Sequence, residues 1–314
     1  MRFFRLFLMS LICLMILHSC NRYYMNKTEA TKKGFVREFD EPTTRGQLAR
    51  ITPPDMDISW RFALSPDRKS IVFSGKQVNT NEPYQLYKLE IGSSSPVKIT
   101  AGGDSDVWNP SFTADGECIV YSAKESFWKV RKDGSGAKMK VPGSGLGNDF
   151  YPQLSKDDRV VFVTHDALAD KYMIWACGLN GAELTQYREG NYPVWSPDGT
   201  KIAFEYSDDI WMMNADGTEL TQLTATQDVV EGLPFFSPDG KYVAYVSNEG
   251  PKGKPLNDFN IWYMSTEGTF KTQVTELDSW DSWPSWTEDG IYFLSGRAKG
   301  NHRVLRIWRI NVDL

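Results

Sequence analysis

The sequence predicts an all-β fold: a six-bladed β-propeller of four-stranded antiparallel blades, its ring closed by an N-terminal strand that completes the last blade. Three observations carry this. A turn opened by Ser or Thr, with Asp two residues on, begins at Ser65, Thr113, Ser155, Ser196, Ser237 and Thr287, at spacings of 48, 42, 41, 41 and 50 residues. Proline stands three residues before the turn in five copies, at Pro110, Pro152, Pro193, Pro234 and Pro284. An aromatic residue marks the third strand of every copy: Tyr87, Trp128, Trp175, Trp211, Trp262 and Trp308. Four short strands and tight turns repeated about every 41 residues match the period of a propeller blade.

The stretch Tyr192 to Thr224 is the cleanest copy. Val194 and Trp195 form a short apolar strand that runs into Ser196-Pro197-Asp198-Gly199. Pro197 fixes φ at the first corner, and Gly199 supplies the positive φ that lets the chain re-enter a strand. Lys201 to Tyr206 and Ile210 to Met213 are the second and third strands, and a fourth ends at Leu223-Thr224. Elsewhere Arg68 and Asp158 replace the turn glycine, and the Thr287 copy is one residue shorter. Trp195 and Trp286, like Phe112 and Phe236, fall on first-strand positions that pack between blades, and the third-strand tryptophans are expected in the core.

The first and last repeats are each incomplete. Residues 46–52, GQLARIT, resemble the fourth strand GTELTQLT of residues 217–224 but have no strands before them. The last repeat stops just after its third strand. Joining the two halves gives a complete blade and removes the open edge of the ring. The propeller is thus expected over 46–314, in blades at about 58–100, 107–141, 149–187, 191–224, 231–275 and 281–314 with 46–52.

This pattern resembles the propeller repeats of the TolB family, through SPDG at Ser196 and Ser237 and DIW at Asp209 to Trp211. The resemblance covers roughly Gly46 to the C-terminus. It is specific for fold and less so for function, because related blades occur in scaffolds, peptidases and lyases. What it implies is a periplasmic propeller that docks other envelope proteins, in that family a peptidoglycan-associated lipoprotein. The chain departs from the family by showing a short tether in place of the N-terminal α/β domain.

Residues 1–19 read as a lipoprotein signal peptide: Arg2 and Arg5, an apolar run from Phe3 to Leu17, then Ser19 before Cys20. That run is short for a membrane span. Cys20 is the expected lipidation site, and acyl chains there would hold the protein to a membrane. His18 is an atypical residue at such a site. Asn21 favours, by family analogy, the outer membrane of a Gram-negative cell, with the domain facing the periplasm. Residues 20–45 are polar, mixed in charge and poor in aliphatics, so they read as a flexible tether.

Net charge is −5, and becomes −7 once residues 1–19, with two arginines and no acid, are removed. A chain of that balance is poorly suited to nucleic acid. Of the four cysteines, Cys118 and Cys177 remain beyond Cys20, at non-equivalent strand positions. They read as half-buried thiols, with a disulfide the less favoured alternative.

Catalytic machinery is thin. His165 and His302, both expected in exposed loops, are the only histidines after residue 19. That is too few for a Ser-His-Asp triad or a multi-histidine metal site, and no G-x-S-x-G elbow occurs. No catalytic residue, metal or cofactor is therefore assigned, although two facing carboxylates remain able to cleave a glycoside.

The residues the repeat does not explain sit at blade entrances: Trp60, Trp108, Tyr151, Tyr192, Trp280 and Trp283. Asp106, Asp149, Glu231, Asp278 and Asp281 share these segments. Inter-blade loops converge on one mouth of a propeller's channel, so Trp60, Trp108, Tyr151, Tyr192, Glu231, Asp281 and Trp283 are candidates for binding a partner or ligand. The alternative is that the aromatics cap blade ends and the acids are solvated. Long second-to-third-strand loops at 75–83, 248–258 and 296–303 decorate one rim. The expected function is a monomeric, non-enzymatic protein-interaction platform in the cell envelope. The alternative is a glycan-binding or glycan-cleaving propeller that works through the same mouth.

Overall fold

The local chemistry of the turns sets the blades. In the fourth blade, Asn191–Trp195, Lys201–Tyr206, Asp209–Asn214 and Thr221–Gln222 are the strands. Between the first two, the Ser196 hydroxyl donates to Asp198 Oδ1 at 2.6 Å and accepts from the Lys201 N–H at 2.9 Å. Gly199 turns the chain at φ 75°. Ser65, Thr113 and Ser237 make the same pair of bonds in their own blades. Arg68 and Asp158, where glycine is replaced, still adopt φ 57° and 56°. The turn geometry therefore outlasts the loss of its preferred residue, because Asp and the hydroxyl hold it by hydrogen bonds.

The computed structural model describes residues 48–100, 105–136, 138–250, 255–276, 280–296 and 305–312, with backbone alone at 255–257. The expected signal peptide, Cys20 and the tether lie outside the described residues, as do Asp278 and His302. The described strands form six sheets of four, each antiparallel and five of them in chain order. First strands touch first strands from blade to blade around the whole ring, so they line the axis. These are Met56–Leu64, Trp108–Phe112, Asp149–Leu154, Asn191–Trp195, Glu231–Phe236 and Asp281–Thr287.

The sixth sheet closes the ring as the repeats predicted. Leu48–Arg50 pairs antiparallel with Arg306–Ile310, with Leu48 opposite Ile310 and Arg50 opposite Trp308. One side chain fixes the register. In the first, fourth and fifth blades a buried threonine after the fourth strand accepts from a third-strand N–H: Thr100 from Leu86, Thr224 from Ile210, Thr275 from Ile261, at 2.9–3.0 Å. Thr52 accepts from Ile307 at 3.0 Å, across 255 residues of sequence. The N-terminal strand thus repeats the bond that ends three of the other blades. Thr52→Val should leave the buried Ile307 N–H without an acceptor and cost about 1–3 kcal/mol. Urea midpoints for Thr52→Val and Thr52→Ser check this, since serine keeps the acceptor and should restore most of the loss.

First-strand aromatics pack between blades, as expected. Trp195 joins Val161, Val163 and Ile174 of the third blade, and Phe112 joins Val72 and Leu86 of the first. Phe236 and Trp286 do the same one and two blades further on. The third-strand aromatics correct the expectation of a core position. Tyr87 is buried, but Trp128, Trp175, Trp211, Trp262 and Trp308 are half-buried. Each lies opposite a buried second-strand aromatic, as Trp211 does Phe204 and Trp308 does Phe293. The fourth strand beyond them is only two to five residues long, too short to cover an indole fully. Cys118 and Cys177 are free thiols, the first half-buried and the second buried, so no disulfide links the second and third blades.

Candidate functional site

All six first strands carry a bulge, and its first residue is left-handed in every blade. Trp60, Asn109, Tyr151, Tyr192, Leu233 and Trp283 have φ between 50° and 56°. In blades two to six a proline follows, and two residues of the first strand face one of the second. In the first blade Ser59 pairs with Ser74 and Phe62 with Phe73, so Trp60 and Arg61 stand between consecutive partners. This bulge is one residue longer, and Phe62 takes the proline's place. Left-handed φ is unfavourable for bulky side chains, by about 1 kcal/mol or more each, and sites where such strain persists are often functional.

The bulges aim their side chains at the axis. Tyr151 of the third blade lies 5.8 Å from the ring of Trp283 in the sixth, directly across the circle. Tyr192 closes the group, 4.8 Å from Tyr151 and 5.3 Å from Trp283. Trp60 and Leu233 pack against the same cluster. The channel is therefore plugged by rings near the end where first strands begin, opposite the Ser/Thr-Asp turns. Over the Trp283 ring, at 5.8 Å, stands the guanidinium of Arg61. Arg61 is 7% exposed. Burial lowers its pKa to about 10, against a weaker upward pull from Tyr151, so it stays charged at neutral pH.

The structure brings together four of the residues singled out from sequence: Trp60, Tyr151, Tyr192 and Trp283. It sets them deeper than expected. Tyr192 and Trp283 are buried and Trp60 and Tyr151 half-buried, so they fill the channel rather than line an open mouth. Trp108 is not among them, because the bulge puts Asn109 at the equivalent place. Trp108 packs instead at a tilt on Tyr84, with ring centroids 5.1 Å apart, at the mouth rim between the first two blades. Tyr84 donates to Asp57, and its N–H is accepted by Asp106. Trp280 is half-buried against the cluster between the last two blades. His165, expected in an exposed loop, ends a second strand, half-buried on Tyr172 and 3.1 Å from Asp170.

Three of the acids are likewise inside, whereas Asp106 is exposed. Asp149, Glu231 and Asp281 occupy one repeat position and all three are buried, contrary to solvated turn residues. Asp149 accepts from the hydroxyls of Ser144 and Thr164, both at 2.6 Å. Glu231 accepts from Thr226 at 3.4 Å and lies 3.9 Å from Lys271, which also pairs closely with Glu249. Burial pushes the Glu231 carboxyl up to about 6 despite Lys271. Glu205, which sequence reasoning missed, lies buried on a second strand and accepts from the Leu233 N–H. Burial, with the nearby charge of Asp208, raises it to about 8. Between the fourth and fifth blades an open cleft of about 510 Å³ is lined by Asp208, Asp209, Thr226, Asp228 and Val229. Among the described residues no group of three His, Cys, Asp or Glu side chains is placed to hold a metal.

Trp283→Ala removes a ring that touches Tyr151, Tyr192 and Arg61, and large aromatic truncations in cores cost about 3–5 kcal/mol. Thermal unfolding should show a clear loss for Trp283→Ala and little for Trp108→Ala. Equal, negligible losses would mean the plug is not packed.

No protein-family model matches the chain. A stretch of 123 residues is 27% identical to the Tol-Pal system protein TolB of Alcanivorax borkumensis. The propeller is TolB-like. That match takes in 34% of this chain and 28% of the relative's length. Among solved structures, one assigned as TolB in Agrobacterium tumefaciens superposes with a TM-score of 0.58 at 18% identity, over 68% of this chain and 79% of that one. Oligogalacturonate lyase of Vibrio parahaemolyticus gives 0.59 at 15% identity, over 88% and 96%. At these identities the two structures speak for the propeller fold alone.

Proposed function

We propose that this chain is a lipid-anchored envelope protein, tethered through Cys20 to a bacterial, outer, membrane and facing the periplasm, whose TolB-like propeller captures another envelope protein without catalysing a reaction. The observation that carries the reading is the ring-plugged axis beneath a mouth edged by Trp108, Tyr84 and the cleft at Asp208. Such a surface offers aromatic anchors on a rigid scaffold, the kind of feature on which binding energy concentrates. The likeness to a Tol-Pal system protein supports an envelope partner.

The test is site-specific crosslinking in cells. A photoreactive phenylalanine at position 108 should trap one discrete protein, and the same residue at position 198, at the opposite end of the ring, should trap none. Adducts from both ends alike would refute the docking face. Cys20→Ala should move the protein from the membrane to the soluble fraction, and continued sedimentation with membranes would refute the anchor.

One observation favours a second reading. Glu231 titrates near 6, a range suited to acid-base work, and a fold of this kind occurs in an oligogalacturonate lyase. A glycan-acting propeller would show turnover on a polysaccharide panel that includes oligogalacturonate, lost in Glu231→Gln.

A further inference from the structure

The first strands of the third and fifth blades open on a carboxylate at one repeat position, Asp149 and Glu231, and the two are served differently. In the third blade the connector folds onto Asp149. The Ser144 hydroxyl donates to Oδ1 at 2.6 Å and the Ser144 N–H to Oδ2 at 3.1 Å, while Thr164 adds a third bond at 2.6 Å. Glu231 reaches back to its own connector at the equivalent Thr226, but only at 3.4 Å, through Oε1. Here the connector of residues 225–230 stands off and lines the open cleft of about 510 Å³. Glu231 is fully buried, and among the described residues its Oε2 has no hydrogen-bond partner. The Thr224 hydroxyl close by goes to Asp209 Oδ1 at 3.2 Å instead. A buried carboxylate turned toward a cleft wall, with one oxygen unserved, projects a negative potential into the cleft that water screens poorly.

The cleft adds three more acids. Asp208, Asp209 and Asp228 line it, and among the described residues none of them forms an ion pair. Lys271, the cation that approaches Glu231, is 3.9 Å away and is shared with Glu249 and with Thr226 at 3.0 Å. Burial raises the pKa of Asp209 against its bonds from Thr224 and Gln222, and the charge of Asp208 raises it further. We propose that this cleft is a subsite for a primary ammonium, the lysine side chain of a protein docked on the mouth. This rests on the mouth being the docking face. Carboxylates on two separate segments suit the three diverging donors of an ammonium, whereas the planar fork of a guanidinium is matched by a single carboxylate. A metal ion is disfavoured, because among the described residues no three of these acids are placed to hold one.

The experiment uses the purified chain and two peptides, acetyl-Gly-Lys-Gly-amide and the same peptide acetylated on the lysine Nζ, at low and matched ionic strength. The first should shift the backbone amide resonances of 207–209 and 225–230, and the second should leave them in place. Affinity for the lysine peptide should fall about threefold in Asp208→Asn and in Asp228→Asn, and about tenfold in the double variant. Glu231→Gln should lower it about threefold as well, although that side chain is out of contact with water. Circular dichroism confirms that each variant is folded, and the two exposed aspartates decide the matter if Glu231→Gln is not. Equal response to the two peptides, no shift at 207–209 and 225–230, or unchanged affinity in the double variant would each overturn the site. Unchanged affinity in a folded Glu231→Gln would reduce the cleft to surface acids and overturn it too. Shifts with spermidine but not with the lysine peptide would overturn the peptide assignment. Neither peptide needs the natural partner, so failure here leaves the crosslinking result at position 108 standing, and a failed crosslink leaves these shifts standing.

Discussion

A chain lacking residues 46–52 should melt on the order of 10 °C or more below the full chain, or fail to fold, whereas one lacking 21–45 should melt within about 2 °C of it. The reason is the sixth sheet. Leu48–Arg50 supplies its outer strand, Ile51 donates to the Ile307 carbonyl at 2.8 Å, and Thr52 caps the Ile307 N–H. Leu48 also packs in the cluster that joins the last two blades. Losing these leaves Arg306–Ile310 as an open edge of unpaired backbone groups. Several hydrogen bonds at about 1 kcal/mol each, plus the apolar contact, approach the whole net stability of a typical domain. Size-exclusion chromatography of the shortened chain should show self-association through that edge. Equal melting temperatures for the two truncations would mean that the ring does not depend on its N-terminal strand.

Glu205 should make the protein lose stability as pH rises through neutrality. Its ordinary pKa is 4.5, and in the fold burial raises it to about 8. Below pH 4.5 the carboxyl is protonated in both states and contributes nothing to the pH dependence. Between 4.5 and 8 the unfolded chain releases the proton while the folded chain keeps it. Folding is then penalised by about 1.4 kcal/mol per pH unit, on the order of 4–5 kcal/mol in all, levelling off above 8. Glu205→Gln keeps an acceptor for the Leu233 N–H and removes the ionisation. It should match the parent chain near pH 4.5 and exceed it at pH 9, as read from urea midpoints at the two pH values. Parallel curves for the two proteins would show that Glu205 does not keep its proton in the fold.

What was legible in the sequence is what short-range chemistry decides. Ser196, Asp198 and Gly199 make their turn from neighbouring residues, so the repeat and the blade number could be read directly. Residues 46–52 could be placed because Thr52 copies Thr224 and Thr275. The interior of the channel was less legible, for three reasons. Whether Trp283 lines a mouth or fills an axis depends on the left-handed bulge, which proline at 284 signals only in part. Trp108 shares the blade entrance with Tyr151 but stands one residue before the bulge, where Asn109 is the true counterpart. Glu205 gave no signal because its strand, Lys201–Tyr206, is buried on both faces and lacks the alternation that would mark an inward carboxylate. Arg61 left one trace: the first blade lacks the proline the others carry, and that is where the bulge is longer.

The longer bulge has a geometric consequence. Six near-identical sheets around an axis present an axial visitor with six almost degenerate rotational settings, and degeneracy of that kind blurs recognition. A single additional residue at position 60 or 61 gives the circle an angular origin, so that a molecule docking on the mouth meets a compass with north marked.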